Sequence, residues 1–190
     1  QALKSGKLKE TDLVPVSMNA WCRGTSTESC MYLPLNSQAS VIDILRGIIV
    51  QSGGDACVVV AETLGGSEQA FAEMENARAK ELGLTNSHFT NSSGLPDPEH
   101  YMSATDLAKL AAHVIRDYPD QYAYFAIPEF TWSNIRQPNR NTLVTDNIGV
   151  DGLKTGHTEA GGYGIVASAS RGGRRLILVI NGMTSERAPL

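Results

Sequence analysis

Apolar residues recur at helical spacing through the first two-thirds of the chain and alternate with polar ones over the last forty positions. Val41, Ile44, Leu45 and Ile48 follow the 3.6-residue period behind Ser37 or Ser40, either of which can cap a helix there. That run meets Gln51-Ser52-Gly53-Gly54-Asp55, where two adjacent glycines predict a break, and a second apolar helix follows over 56–64 before Gly65-Gly66. A third helix is predicted over 67–82, carrying Ala70, Phe71, Met74 and Ala77 and stopped by Gly83. Residues 84–100, dense in Gly, Pro and Asn, read as a long ordered loop near a site. Ser103-Ala-Thr-Asp106 has the form of a capping box and opens a helix with Leu107, Leu110, Ala111, Val114 and Ile115, ended by Pro119.

Residues 1–10 read as the tail of a helix, because Lys4, Lys7 and Lys9 stand where cations favour a helix C-terminus. Residues 11–36 read as short strands and loops, and Phe130 and Trp132 alternate with polar neighbours as a strand does. Three antiparallel strands are predicted at the end: one through 150–157, one over 163–169 and one over 175–182, the last two joined by a tight turn at Arg171-Gly-Gly-Arg174. Helices first and a meander last make an α+β chain, with a helical lobe at about 37–128 and sheet strands at about 148–183.

With 190 residues, 42% of them hydrophobic, the chain can bury the core of one domain. Sixteen basic against twenty acidic residues, and no basic run longer than Arg174-Arg175, argue against a nucleic-acid partner. No apolar run approaches the roughly 18 residues of a membrane span, and the first residues lack a signal peptide's apolar region, so no anchor is expected within this sequence. A chain opening on Gln1 in place of Met predicts a fragment or a processed form. The four histidines have no metal-ligand spacing, so neither a metal nor another cofactor is expected. Cys57, in an apolar helix, reads as a buried inert thiol, whereas Cys22 and Cys30 can pair in an oxidising compartment and their spacing leaves the pairing open.

The candidate chemistry lies in Val150-Asp-Gly-Leu-Lys154-Thr155-Gly156-His157. Lys154 can offer positive charge to a carboxylate or a developing oxyanion, Thr155 a hydroxyl donor, and Gly156 a backbone that a ligand can approach closely. Ser52, pinned between two predicted buried helices, is placed to point into a cleft, although Ser52-Gly53-Gly54 also suits a plain connecting turn.

Taken together, Gln51-Ser-Gly-Gly-Asp-Ala56, Leu82-Gly-Leu84, His88-Phe89, Ser93-Gly-Leu95, Ile135-Arg-Gln-Pro-Asn-Arg-Asn141 and the Lys-Thr-Gly-His segment resemble the D-alanyl-D-alanine carboxypeptidases, within the superfamily of penicillin-binding proteins and serine β-lactamases. The resemblance implies a serine acyl-transferase that removes the terminal D-alanine from peptidoglycan stem peptides ending in D-Ala-D-Ala and is trapped by β-lactams. It implies a place in the periplasm or on the outer face of the bacterial cytoplasmic membrane. By motif position, Ser52 would shuttle protons as the catalytic residue of this sequence. Lys154, Thr155 and Gly156 would hold the substrate carboxylate, with Gly54 and His157 beside them.

The sequence departs from that pattern in three ways. No S-x-x-K occurs: the residues three before Lys4, Lys7, Lys9, Lys80, Lys109 and Lys154 are Gln1, Lys4, Gly6, Ala77, Asp106 and Asp151. Gly54 stands where the family's second motif usually ends in Asn. The basic residue that the family offers to the substrate carboxylate is matched only by Arg187, whose correspondence is open. The expectation is therefore a DD-peptidase-like domain over 1–190 that is incomplete, lacking N-terminal strands, the S-x-x-K helix and a C-terminal helix, and inactive alone. The alternative is a non-catalytic peptidoglycan-binding or scaffold derivative of the same fold. A class A β-lactamase would need E-x-x-x-N, which does not occur.

Overall fold

The computed structural model describes residues 1–22, 29–146 and 148–185. Arg187, and residues 23–28 of the predicted strand-and-loop stretch, lie outside them. Residues 2–6 form turns and not the end of a helix: a single i→i−4 bond, Ser5 N to Gln1 O at 2.9 Å, is closed off by Gly6 at φ +73°. A short strand β1 (Leu13–Pro15) pairs antiparallel with β2 (Gln38–Ser40). Ser40 then caps α1 (Val41–Arg46), its hydroxyl accepting from Asp43 N.

The helix does not stay α. At Gly47 it widens into a π-helical turn, Gly47–Gln51, which ends on Ser52 in the left-handed region at φ 57°. Gly47 lies where the backbone meets Met31, since a Cβ there would stand 2.2 Å from the Met31 sulfur. After Gly53 comes α2 (Gly54–Gly65), then α3 (Glu68–Glu81), which Ser67 caps by accepting from Ala70 N. A two-stranded excursion, β3 (Ser87–His88) with β4 (Tyr101–Met102), interrupts the predicted loop.

Beyond it, Ser103 caps α4 (Ala104–Asp117), which is followed by α5 (Pro119–Tyr122) and a 3-10 turn over Ala123–Ala126. Phe130 and Trp132 belong to a hairpin and not to a lone strand: β5 (Glu129–Trp132) folds back on β6 (Ile135–Pro138) through Ser133 and Asn134. Both turn residues have positive φ, 49° and 64°, the backbone of a two-residue hairpin turn. After the short α6 (Thr142–Thr145), β7 (Val150–Thr158), β8 (Gly162–Arg171) and β9 (Arg174–Met183) form an antiparallel meander in the order β7-β8-β9.

Two apolar cores support this arrangement. One gathers Val14, Val16, Met31, Leu33, Ile44, Val50 and Val59 around the π-helical turn. The other seats Ala111 of α4 and Tyr122 against Leu153 and Val166 of the sheet. Ser52 thus rises from the first core and Lys154 from the edge of the second, so the seam between them is where the two meet.

Candidate active site

The Ser-Gly-Gly turn is held from beneath. Residues 29–33, without regular structure and turning at Tyr32 (φ 60°), cross under it as a strap whose Met31 and Leu33 are almost wholly buried. Met31 N donates to Asp55 Oδ1 at 2.8 Å and Leu33 N to Asp55 Oδ2 at 3.0 Å, while Ala56 N donates to Oδ1 at 2.9 Å. Asp55 lies in the first turn of α2, where the helix dipole also favours its negative charge. Gly54 N donates to Ser29 O at 2.8 Å. The Gly53 backbone runs so close to the strap that a Cβ would stand 3.0 Å from Met31 Cβ and 3.1 Å from Asp55 Oδ1. Ser52 therefore has little backbone freedom, and its left-handed conformation is over-determined by these contacts.

Lys154 reaches Ser52 from the sheet. Its Nζ donates to Ser52 Oγ and, at 2.9 Å, to the carbonyl of Thr155. Burial pushes the ammonium down to about 8 from an ordinary value of 10.5, and the nearby Arg140 guanidinium adds to the push. An amine near neutrality in contact with a hydroxyl is a proton relay, and in its charged form it is also an anion anchor. From pH 8 to 10.5 the unfolded chain holds a proton that the folded chain has released, so stability contributed at this site rises with pH across that window. Lys154→Met removes this dependence: urea unfolding at pH 7 and pH 10 is expected to show a smaller gain for the variant than for the parent chain.

Arg140, read in the sequence only as part of segment 135–141 and given no role there, enters the site. It is flanked by two buried asparagines, and Asn139 fixes the backbone by donating from Nδ2 to Ile127 O at 2.9 Å and accepting Asn141 N at 2.9 Å. The Arg140 side chain is left exposed and donates to Ser29 Oγ at 2.6 Å. A charged residue between two uncharged polar ones carries no periodic signal, which is why pattern reading passed over it.

The strand carrying Lys154 is locked at its other end. Asp151 occupies a bulge between the Val150 and Gly152 pairings, and Arg175 grips its carboxylate with two bonds of 2.8 and 2.9 Å. Tyr122 OH donates to Asp151 Oδ1 at 2.6 Å from directly under Gly152, where a Cβ would clash at 2.8 Å. Burial opposes ionisation of Asp151, but the Arg175 and Tyr122 hydrogen bonds outweigh it and hold the carboxyl below its usual range. Tyr122→Phe removes one bond to a charged acceptor, and a loss of about 1–2 kcal/mol is expected in denaturant unfolding.

Among the described residues β7 is an edge of its sheet, with no strand paired on the side away from β8. Gly156 is exposed, with nothing within 4 Å of where a Cβ would stand, and pairs with Gly164. An extended peptide can lie along such an edge. His157, also exposed, stacks on its cross-strand partner Tyr163 with ring centroids 3.9 Å apart. Ser52, Lys154 and Thr155 are thus brought together, and Gly156 and His157 extend the same edge. Gly54 starts α2 with its N–H already committed to the strap. Cys57 is half-buried, with its thiol pushed up to about 12 by burial, and Cys22 and Cys30 form a disulfide. No described helix is long and apolar enough to cross a membrane.

The D-alanyl-D-alanine carboxypeptidase family model matches residues 1–185. The chain is 44% identical over 191 aligned residues to D-alanyl-D-alanine carboxypeptidase DacC of Escherichia coli K12, covering 98% of this chain and 48% of that protein. Penicillin-binding protein 5 of Haemophilus influenzae superposes with a TM-score of 0.90 at 47% identity, over 94% of this chain and 53% of that one. Penicillin-binding protein 6B of Escherichia coli gives a TM-score of 0.90 at 40% identity, over 97% of this chain and 60% of that one. The chain therefore spans about half the length of the curated relatives it matches. With an α+β fold shared with these structures and a family match along nearly its whole length, the chain belongs to the D-alanyl-D-alanine carboxypeptidase family.

Proposed function

We propose that these residues form the proton-shuttling and carboxylate-holding half of a serine D-Ala-D-Ala carboxypeptidase site, acting on peptidoglycan stem peptides and acylated by β-lactams in the bacterial periplasm or at the outer face of the cytoplasmic membrane. The observation that carries this reading is the contact between the Ser52 hydroxyl and an amine shifted close to neutrality, set beside an open strand edge. A substrate ending in D-alanine would lie antiparallel along β7, its terminal carboxylate between Lys154 and Thr155 and its scissile carbonyl toward Ser52. Arg140, a second cation on the rim, reinforces the field that draws the carboxylate in. His157 would border the same edge.

The attacking serine and its lysine base belong, on this reading, to residues other than these 190, because no S-x-x-K occurs among them. Ser52 itself is a poor nucleophile here: its Oγ already accepts from Lys154, and it lacks a base of the kind that a Ser-x-x-Lys pair supplies. Intact-mass spectrometry after excess benzylpenicillin tests both parts. The 190-residue chain is expected to gain no adduct, whereas a form extended upstream through an S-x-x-K gains one penicillin. An adduct on Ser52 in the 190-residue chain would overturn the assignment of the nucleophile, and an extended form that never labels would favour the scaffold reading.

A further inference from the structure

The strap that holds the Ser52 turn carries one half of the disulfide. Cys30 stands between Ser29, whose carbonyl accepts Gly54 N and whose hydroxyl accepts Arg140, and Met31, whose N–H donates to Asp55. Among the described residues, the strap's polar ties to the candidate site come from Ser29, Met31 and Leu33, beside Cys30. Its partner Cys22 follows a segment that shares the first core with the strap: Val16 and Ala20 are buried in the same cluster as Met31 and Leu33, Val16 N donates to Ser37 O at 2.9 Å and Trp21 N to Ser17 O at 3.1 Å. Among the described residues, the bond joins that segment to a strap that Asp55, Gly54 and Arg140 tie by hydrogen bonds and that Met31 and Leu33 seat by burial.

We propose that the Cys22–Cys30 disulfide is a redox latch on the active site: closed, it holds residues 29–33 under the Ser52-Gly53-Gly54 turn, and opened by a dithiol, it releases the strap and with it the alignment of Ser52 and Arg140. The proposal rests on the reading of Ser52 and Lys154 as the site. Chemically, a thiolate of the dithiol attacks the sulfur of Cys22, which is the less buried of the pair, and the S–S bond breaks with Cys30 leaving as a thiolate that takes up a proton. The second thiol of the reductant then displaces Cys22 from the mixed disulfide. The products are two protein thiols and the oxidised dithiol, and an oxidising periplasm reverses the exchange. Cys57 does not compete, being on α2 and held as a thiol by burial.

Loss of the cross-link leaves the Met31, Leu33 and Gly54 amides dependent on the strap's own bonds, so their protection from solvent exchange measures the latch directly. Amide hydrogen exchange is therefore to be compared in the oxidised protein, the protein reduced by dithiothreitol, and the Cys22→Ser/Cys30→Ser double variant. The expected result is exchange about tenfold faster at Met31, Leu33 and Gly54 in the last two states, with the α4 amides unchanged. In a form that carries its S-x-x-K serine, benzylpenicillin acylation slows on reduction and recovers on reoxidation, and the double variant is slow and indifferent to dithiothreitol. Unchanged exchange in a sample whose mass shows the bond open overturns the proposal, as does a double variant that acylates as fast as the oxidised parent. Faster exchange with no penicillin adduct in any state counts against the serine-peptidase reading and leaves the latch standing.

Discussion

Lys154→Ala is expected to lower the rate of benzylpenicillin acylation about a thousandfold in a form of the protein that carries its S-x-x-K serine, and Ser52→Ala about a hundredfold. The ordering follows from the number of tasks each group performs. Lys154 donates to Ser52 Oγ and to the Thr155 carbonyl, and in the proposed function it is also the cation that faces the ligand carboxylate, so its removal loses the anchor and the relay together. Ser52 contributes only the relay. Because the two act through one contact, the double variant is expected to be no slower than Lys154→Ala alone. The parent protein should also lose acylation rate as pH rises through about 8, where the Lys154 ammonium gives up its proton, and Lys154→Ala should lack that limb. Stopped-flow acylation between pH 6 and 10 reads all three effects; an additive double variant would separate Ser52 from Lys154 and sink the relay.

The parts of this site legible in the sequence were those marked by local chemistry. Ser52 announced itself as a polar residue before two glycines between apolar helices, and Lys154-Thr155-Gly156 as a charge, a hydroxyl and a bare backbone on a strand. Their meeting, 102 residues apart in sequence, was implied only by family resemblance, since periodicity says nothing about which helix end faces which strand. Asp55 and the strap were invisible for a related reason. An aspartate after two glycines looks like an ordinary helix-opening residue, and only the fold shows that its acceptors are filled by Met31 and Leu33. The π-helical turn was equally unreadable, because Ile48 and Val50 suit either helix, and only the fold shows it starting where Met31 lies against Gly47. The second strand of the hairpin at Ile135–Pro138 was missed because Arg136 and Gln137 are polar and its turn residues, Ser133 and Asn134, are not glycines.

Asp55→Ala is expected to cost about 3–5 kcal/mol of stability. Two backbone donors of buried residues, Met31 and Leu33, lose their acceptor, and Ala56 N at the start of α2 loses one as well. Each unpaired buried donor costs about 1–3 kcal/mol, and no solvent path replaces the lost oxygen at a side chain only 4% exposed. Asp55→Asn separates charge from geometry. Its amide has one acceptor oxygen, and if that oxygen serves Met31 and Ala56, the NH2 group must face Leu33 N–H, donor against donor. The asparagine variant should therefore recover part of the loss but not all of it, about 1–3 kcal/mol remaining. Urea unfolding of the three chains at neutral pH checks the ranking Asp, then Asn, then Ala. If asparagine matches aspartate, the carboxylate serves the strap only through one oxygen, and the account of a two-point clamp under Ser52 fails.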